Sequence, residues 1–299
     1  MTGPKEDPAT QFAPAMGDGP SGTEARHQPR SPAIDLPQNS RGHVVIFLPA
    51  LNEEAAIGRV LERIPKAQLE ASGYSLSVWV VDGNSTDRTL EVVRDSGASV
   101  FVQSGRGKGT GMRQAFGHML TTRELADGGS RDPEFFLMFD ADGTYPPEAI
   151  PQFVEALSRG NDVVLGSRFR GQMAEGAMTP LNAMGNRILS KLARILYGVR
   201  VTDVCTGMWG FNADALRQIS LDAGGFDLEA DLFGSVCLSR ARISELPIDY
   251  APRIGPSRML PLRSGLHIAW RLFARRLRSG RASVSRAATR YESAEPTTA

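Results

Sequence analysis

The chain has 299 residues, 41% hydrophobic and 22% charged, which is enough apolar mass for one large α/β domain or two small ones. Its 34 Lys and Arg against 33 Asp and Glu leave a net charge of +1, which argues against a strongly basic nucleic-acid binder and against an acidic tail protein. Two cysteines and four scattered His exclude a disulfide framework and a Cys-based zinc site, and no apolar run reaches the roughly 18 residues of a transmembrane helix.

Residues 1–41 hold seven Pro and four Gly without apolar periodicity, so they are expected to be a disordered extension. They carry no charged-then-apolar signal pattern, so the chain is expected to stay in the cytoplasm unless something carries it to a membrane. A folded body is expected over 42–262. His43–Leu48 is a buried strand stopped by Pro49. Glu53–Ile64 has helical spacing at Ala56, Val60 and Ile64. Leu76–Val81 is a second strand, and Thr86 or Asp87 can cap a helix reaching Asp95. Ala98–Val102 is a third strand and Lys108–Leu120 a third helix. Phe135–Phe139, the helix Pro147–Ser158, the strand Asp162–Leu165 and the helix Pro180–Tyr197 follow. On that last helix Leu181, Met184, Ile188, Leu192 and Ile195 form an apolar face, and Arg187, Lys191 and Arg194 a cationic stripe. This alternation implies an α/β fold with a mostly parallel central sheet covered by helices on both faces. Ligands of such sheets bind beyond the carboxyl ends of the strands.

Five strand ends carry candidate chemistry. Pro49-Ala50-Leu51-Asn52-Glu53-Glu54 reads either as a helix start capped by Asn52 or as part of a site. Asp82, at the end of the second strand, can accept hydrogen bonds from a nucleobase or ribose, or serve a capped turn. Ser104–Gly111 is a Gly-rich helix start that can hold phosphate, with Lys108 as a point charge. It matches neither GxxxxGK[ST] nor GxGxxG, so it equally reads as a flexible turn. The sharpest feature is Asp140-Ala141-Asp142-Gly143 after a fully apolar strand. Two carboxylates there are costly without a cation, and Mg2+ or Mn2+ bridging to diphosphate oxygens is the expected occupant. Gly166-Ser167-Arg168 ends the fifth strand.

Charge is unevenly spread. Residues 251–290 hold ten Arg and no acid or Lys, so residues 1–250 carry 24 basic against 31 acidic side chains. Within 263–279 a helix would place Leu266, Ala269, Trp270, Phe273 and Leu277 on one face and Arg271, Arg275 and Arg278 on the other. That suits an anionic bilayer surface, or a helix packed on the body with an Arg-rich solvent face. Residues 280–299 are expected to be disordered.

PALNEE, DGNSTDRT, GKG, the DAD motif Asp140–Asp142, GSRF and TDVCTGMWGF occur in one order. That ordered set resembles the family 2 glycosyltransferases of GT-A fold, most nearly the polyprenyl-phosphate and dolichol-phosphate mannosyl- and glucosyltransferases, over about 42–262. The resemblance implies an inverting, metal-dependent transfer of a hexose from a GDP- or UDP-sugar to polyprenyl phosphate at the cytoplasmic membrane face. It implies that Pro49, Leu51, Glu53 and Asp82 line a nucleoside pocket, with Lys108 and Asp140 toward the donor diphosphate. Asp140 and Asp142 would hold the metal. Arg168, Arg187, Arg253 and Arg258 would face the acceptor phosphate, and Asp142, Arg168 and Asp203 would serve catalysis. Thr144 stands where the family often has Gln, and Leu181 where some relatives have Arg. Competing expectations are a soluble acceptor such as phosphoglycerate, with Asp203 or Glu229 as base, a sugar nucleotidyltransferase, and a non-catalytic membrane-docked scaffold.

Overall fold

The structure, a computed structural model, describes residues 41–126, 134–256, 261–279 and 291–292. The expected N-terminal extension up to residue 40, Arg258, and the expected tail apart from Tyr291 and Glu292 lie outside the described residues.

The chain runs β1 (Gly42–Ala50), α1 (Ile57–Glu62), α2 (Lys66–Ala71), β2 (Tyr74–Asp82), α3 (Thr89–Asp95), β3 (Ser99–Val102), α4 (Lys108–Ala126) and β4 (Glu134–Met138). A 3-10 turn over Pro147–Ala149 leads into α5 (Ile150–Ser158). Then come β5 (Val163–Ser167), α6 (Pro180–Tyr197), β6 (Trp209–Asn212), α7 (Ala213–Gln218), α8 (Leu228–Ser239), β7 (Ile243–Pro247), α9 (Pro261–Ser279) and β8 (Tyr291–Glu292).

The sheet order is β3-β2-β1-β4-β6-β5-β7-β8. Every pair is parallel except those of β6, which runs antiparallel between β4 and β5. Its side chains separate into two cores. On β1, Val45 and Phe47 point to the core of α4, α6, α8 and α9, while Val44, Ile46 and Leu48 point to that of α1, α2, α3 and α5. This is the period of two expected of a strand buried on both faces.

Elements whose signal is local agree with the sequence. Thr179 caps α6 by accepting from the Asn182 N–H at 3.2 Å, Pro180 opens it, and Gly198 closes it in the left-handed region (φ +75°). The first helix is shorter than expected because residues 53–56 form a turn tied to the neighbouring loop. Five elements carried no expectation, α2, β6, α7, α8 and β7, and a sixth, β8, corrects the expectation of a disordered tail at Tyr291 and Glu292, which pair with Ile243 and Ser244 of β7. In α8 nine of twelve residues are buried, so it has no amphipathic period to read.

Two helix orientations differ from expectation. On α6 the inward residues are Leu189, Ser190 and Ala193, whereas Leu181, Met184, Ile188 and Ile195 of the expected packing face are exposed. On α9 Arg271 and Arg275, not the apolar stripe, face the body, and Arg278 pairs at the surface. Arg271 pairs with Asp227 at 2.5 Å, Arg275 with Asp231 at 2.7 Å, and Arg278 with Asp222 at 2.9 Å. Ile268 and Leu272 pack inward beside them, while Leu266, Trp270, Phe273 and Leu277 are exposed. The reason is Asp231, fully buried on α8, which also accepts the Asp222 and Ala223 N–H groups. A buried carboxylate of that kind requires a cation, and α9 supplies it.

Candidate functional site

The carboxyl ends of β1, β2, β4 and β5 gather the expected site residues along one edge of the sheet. Ala50 pairs in register with Asp82, and the Gly83 N–H donates to the Ala50 carbonyl at 2.8 Å. Asp82 is fully buried, and its carboxylate accepts the N–H groups of Asn84 at 2.9 Å and Ser85 at 3.1 Å. Of the two readings of Asp82, the structure shows the turn: its carboxylate closes the loop that follows β2. Asn52 does not cap its own helix. In the left-handed region (φ 57°), it accepts the Thr86 N–H at 2.8 Å, while Thr89 Oγ1 accepts the Glu53 N–H at 2.8 Å. These crossed bonds fix the two loops against each other, with Pro49 half-buried and Leu51 exposed at the rim.

Below this rim lies a cluster of four carboxylates and two cations. Arg253 Nη1 donates to Asp142 Oδ2 at 2.5 Å, and its Nη2 donates to Glu53 Oε1. Lys108 Nζ donates to Asp140 Oδ1 and to Glu229 Oε1, each at 2.5 Å. Burial pushes the Glu53 carboxyl up to about 7, with Arg253 opposing and Asp142 and Asp140 adding to the rise. Burial and Asp140 also raise Asp142, against Thr144 and Arg253. Burial raises Glu229, with Lys108 opposing and Asp140 adding. Burial alone would lower the Lys108 ammonium, but Asp140 and Glu229 outweigh it and hold it above its ordinary range.

The Gly-rich segment is neither a free turn nor an isolated phosphate cradle. A Cβ on Gly107 would lie 2.0 Å from the Gly224 carbonyl oxygen, and one on Gly109 would lie 2.5 Å from that of Ala223. The glycines let two backbones touch, and that contact brings Lys108 to Glu229 of α8. Thr144, where Gln was the family expectation, ties down Asp142 Oδ1 through its hydroxyl at 2.6 Å and its N–H at 3.1 Å.

Beyond the end of β5, Arg168 and Asp203 form one buried unit. Asp203 Oδ2 accepts the Arg168 backbone N–H at 3.1 Å and Nε at 2.6 Å, and Oδ1 accepts Nη2 at 2.7 Å. Arg168 Nη2 also donates to the Cys205 carbonyl at 2.9 Å, and its guanidinium lies 5.1 Å from the Tyr250 ring centroid. Among the described residues, Nη1 carries no hydrogen bond. Asp203 is held in turn by Glu245, which accepts its N–H at 3.1 Å. Arg187 is exposed and stacks over Phe169 at 4.9 Å, beside Arg168 in sequence.

The structure thus brings together Glu53, Asp140, Asp142, Lys108 and Arg253, and separately Arg168 with Asp203. It places Arg253 on the carboxylates rather than at a separate acceptor clamp. Tyr250, Glu245 and Gly207 were not read from the sequence. Tyr250 and Glu245 follow the last expected strand, and Gly207 lies within a quoted motif but matters through a contact with Asp140. Two hard oxygen donors at a strand end suit a divalent cation that takes its remaining ligands from phosphate and water. A Cβ on Gly207 would lie 2.6 Å from Asp140 Oδ2, so the backbone is shaped around that carboxylate. No group of three metal-ligating side chains occurs among the described residues.

A mostly parallel sheet with a carboxylate pair at its ligand edge defines a nucleotide-sugar transferase type of site. Residues 45–220 match Glycosyl transferase family 2, and the chain belongs to that family. It is 32% identical over 234 residues to glycosyltransferase AglJ of Haloferax volcanii, covering 78% of this chain and 71% of that one. It is 33% identical over 230 residues to a dolichyl-phosphate hexose transferase of the same organism, covering 75% of this chain and 90% of that one. Among solved structures, glucosyl-3-phosphoglycerate synthase from Mycobacterium tuberculosis, in complex with Mn2+, UDP and glucosyl-3-phosphoglycerate, superposes with a TM-score of 0.57 at 23% identity. The match covers 78% of this chain and 79% of that one. The protein is a glycosyltransferase of GT-A fold.

Proposed function

We propose that the chain transfers a hexose from a nucleoside diphosphate sugar to a polyprenyl phosphate, with inversion at the anomeric carbon. The observation that carries this reading is the cluster of Asp140, Asp142, Glu53 and Glu229 held by Lys108 and Arg253 at the ligand edge of the sheet. The relative named dolichyl-phosphate hexose transferase supports the acceptor class.

In this reading Pro49, Leu51, Glu53 and Asp82 receive the nucleoside. Asp140 and Asp142 would hold Mg2+ or Mn2+, which would supply positive charge for the departing diphosphate. Lys108 and Arg253 already occupy the same carboxylates, so they stand where diphosphate oxygens arrive. An acceptor phosphate is an anionic nucleophile, and it needs positioning and charge screening more than a general base. Arg168 Nη1 is the group available to it, with Asp203 as the residue that positions Arg168. One phosphate oxygen bonds to the anomeric carbon as the carbon–oxygen bond to the diphosphate breaks, and the electron pair leaves with the nucleoside diphosphate.

No helix among the described residues is long and apolar enough to cross a membrane. The membrane contact belongs to this proposal as a peripheral one. Its available cations are Arg187, Lys191 and Arg194, because Arg271, Arg275 and Arg278 are paired within the protein.

The test is a panel of UDP- and GDP-sugars with Mg2+ or Mn2+ and polyprenyl phosphate, reading label extracted into organic solvent. Lipid-extractable product that disappears in EDTA and in Asp140→Asn and Asp142→Asn is expected. Product made only with phosphoglycerate, or activity unchanged in those variants, overturns the reading.

A further inference from the structure

The exposed sides of α6 and α9 carry apolar residues that the reaction does not use. Leu181, Met184, Ile188 and Ile195 on α6 are 51–71% exposed, and Leu266, Trp270, Phe273 and Leu277 on α9 are 44–73% exposed. Single exposed apolar residues are ordinary, but contiguous patches rimmed by polar groups mark interaction surfaces.

The two helices that carry these sets are neighbours. Arg276 Nε donates to the Leu196 carbonyl at 2.8 Å, and the Tyr197 hydroxyl donates to the Leu272 carbonyl at 2.8 Å, so the helices pack side by side. Leu192 and Leu196 of α6 and Ala269 of α9 pack against the same core. At about 100° per residue, Leu181, Ile188 and Ile195 come next around α6 from Leu192 and Leu196. By the same step of about 100°, Leu266, Phe273 and Leu277 come next around α9 from Ala269 and Arg276. The exposed apolar residues therefore flank the seam from both sides.

We infer that α6 and α9 together form a bilayer-docking face, which enters the headgroup–acyl boundary of a phospholipid membrane through apolar contact. Its occupant is set by charge. Neither helix contains an acidic residue. The far edge of the α6 stripe carries exposed Arg187, Lys191 and Arg194, none with an ion pair among the described residues, so phosphate headgroups complement it. A second copy across a twofold axis would bring two such cationic rims together. Trp270 sits in the patch, as aromatic side chains do at membrane boundaries.

The cationic edge also leads to the chemistry. Arg187 covers Phe169, whose neighbour Arg168 is paired with Asp203. A phosphate anchored in the membrane below would meet Arg187 before Arg168. That orientation rests on the lipid-acceptor reading, whereas the docking itself rests on the two helix faces. The chemistry differs from an Arg-driven helix: three arginines of α9 are neutralised by Asp222, Asp227 and Asp231, so apolar contact supplies the attachment.

The experiment uses the full chain and sedimentation with vesicles of phosphatidylcholine alone or mixed with phosphatidylglycerol. Wild type should bind both, more tightly with the anionic lipid, and keep most of its binding to neutral vesicles at about 0.5 M NaCl. Ile188→Glu/Ile195→Glu and Trp270→Glu/Leu277→Glu should each weaken binding by about tenfold or more, because each pair breaks the same face. Ile188→Ser/Ile195→Ser and Trp270→Ser/Leu277→Ser serve if a Glu pair lowers the unfolding midpoint. Four outcomes overturn the inference: no binding by wild type, loss of all binding in salt, an α6 pair that binds like wild type, or a wild-type dimer in light scattering that the pairs dissociate. Transfer to a short, water-soluble polyprenyl phosphate is measured alongside, and should be unchanged in the pairs. Vesicle binding without that transfer in wild type rejects the proposed reaction and leaves the docking face standing, while transfer without vesicle binding does the reverse.

Discussion

Asp203→Leu removes the carboxylate that holds Arg168. Asp203 is fully buried and Arg168 only 6% exposed, so water cannot readily replace the lost partner. Arg168 would lose its bonds from Nε and Nη2, at 2.6 and 2.7 Å, and keep the Cys205 carbonyl and the Tyr250 ring. Bonds to charged groups are worth about 1.5–3 kcal/mol each, and breaking a buried pair from one side costs about 3–5 kcal/mol. For a body of this size that corresponds to a fall in Tm on the order of 10 °C. Urea unfolding of Asp203→Leu, Arg168→Met and the double variant measures the coupling. The double variant should recover much of the single losses, because it leaves no unpaired charge and fills similar volume. A loss below about 1 kcal/mol in Asp203→Leu, or strictly additive single effects, would refute the account of the pair. In turnover, Asp203→Asn should lower kcat with little change in donor KM, as fits a residue that positions Arg168 on the acceptor side.

Glu53 makes stability depend on pH. Its carboxyl is raised from 4.5 to about 7 in the fold, so the folded chain binds more protons than the unfolded one between those values. Stability should therefore fall as pH rises through that window, by about 2–3 kcal/mol relative to Glu53→Gln in metal-free buffer. A rising or flat difference in urea unfolding from pH 4.5 to 7.5 contradicts this. Gly207→Ala should force Asp140 aside, since its Cβ would lie 2.6 Å from Oδ2. A loss in kcat/KM of about tenfold or more, with a near-normal unfolding midpoint, is expected. Lys108→Met should tighten Mn2+ binding several-fold in the absence of donor while weakening donor binding, as read by paramagnetic resonance and calorimetry. Unchanged affinity for both removes Lys108 from the site.

Much of the site was readable because its parts are local. A buried apolar run that stops at Asp82, or at Asp140 with Asp142, marks a strand end whatever lies elsewhere in the chain. The five expected parallel strands were recognisable for the same reason. What escaped were pairings between residues far apart along the chain, even where one member was itself expected. Glu229 lies 121 positions from Lys108, and Arg253 lies 200 from Glu53. Nothing in local spacing signals that Tyr250 covers Arg168, or that Glu245, on an unexpected strand, holds Asp203. The Gly-rich segment shows the limit well. Its composition suited a phosphate loop, yet Gly107 and Gly109 are needed for the approach of Ala223 and Gly224.

By itself the sequence determined five strands of the sheet and the carboxylate pair that follows the fourth, because each follows from short-range pattern. It also established that a mildly acidic body is followed by ten arginines within residues 251–290. Only the tertiary structure decided where those charges point. Arg271, Arg275 and Arg278 meet Asp227, Asp231 and Asp222, and Arg253 meets Asp142 and Glu53. The periodicity of an amphipathic helix shows that it has two faces. Which face turns inward depends on what is packed opposite, and here a buried aspartate drew the arginines in and left the apolar faces of two helices outside.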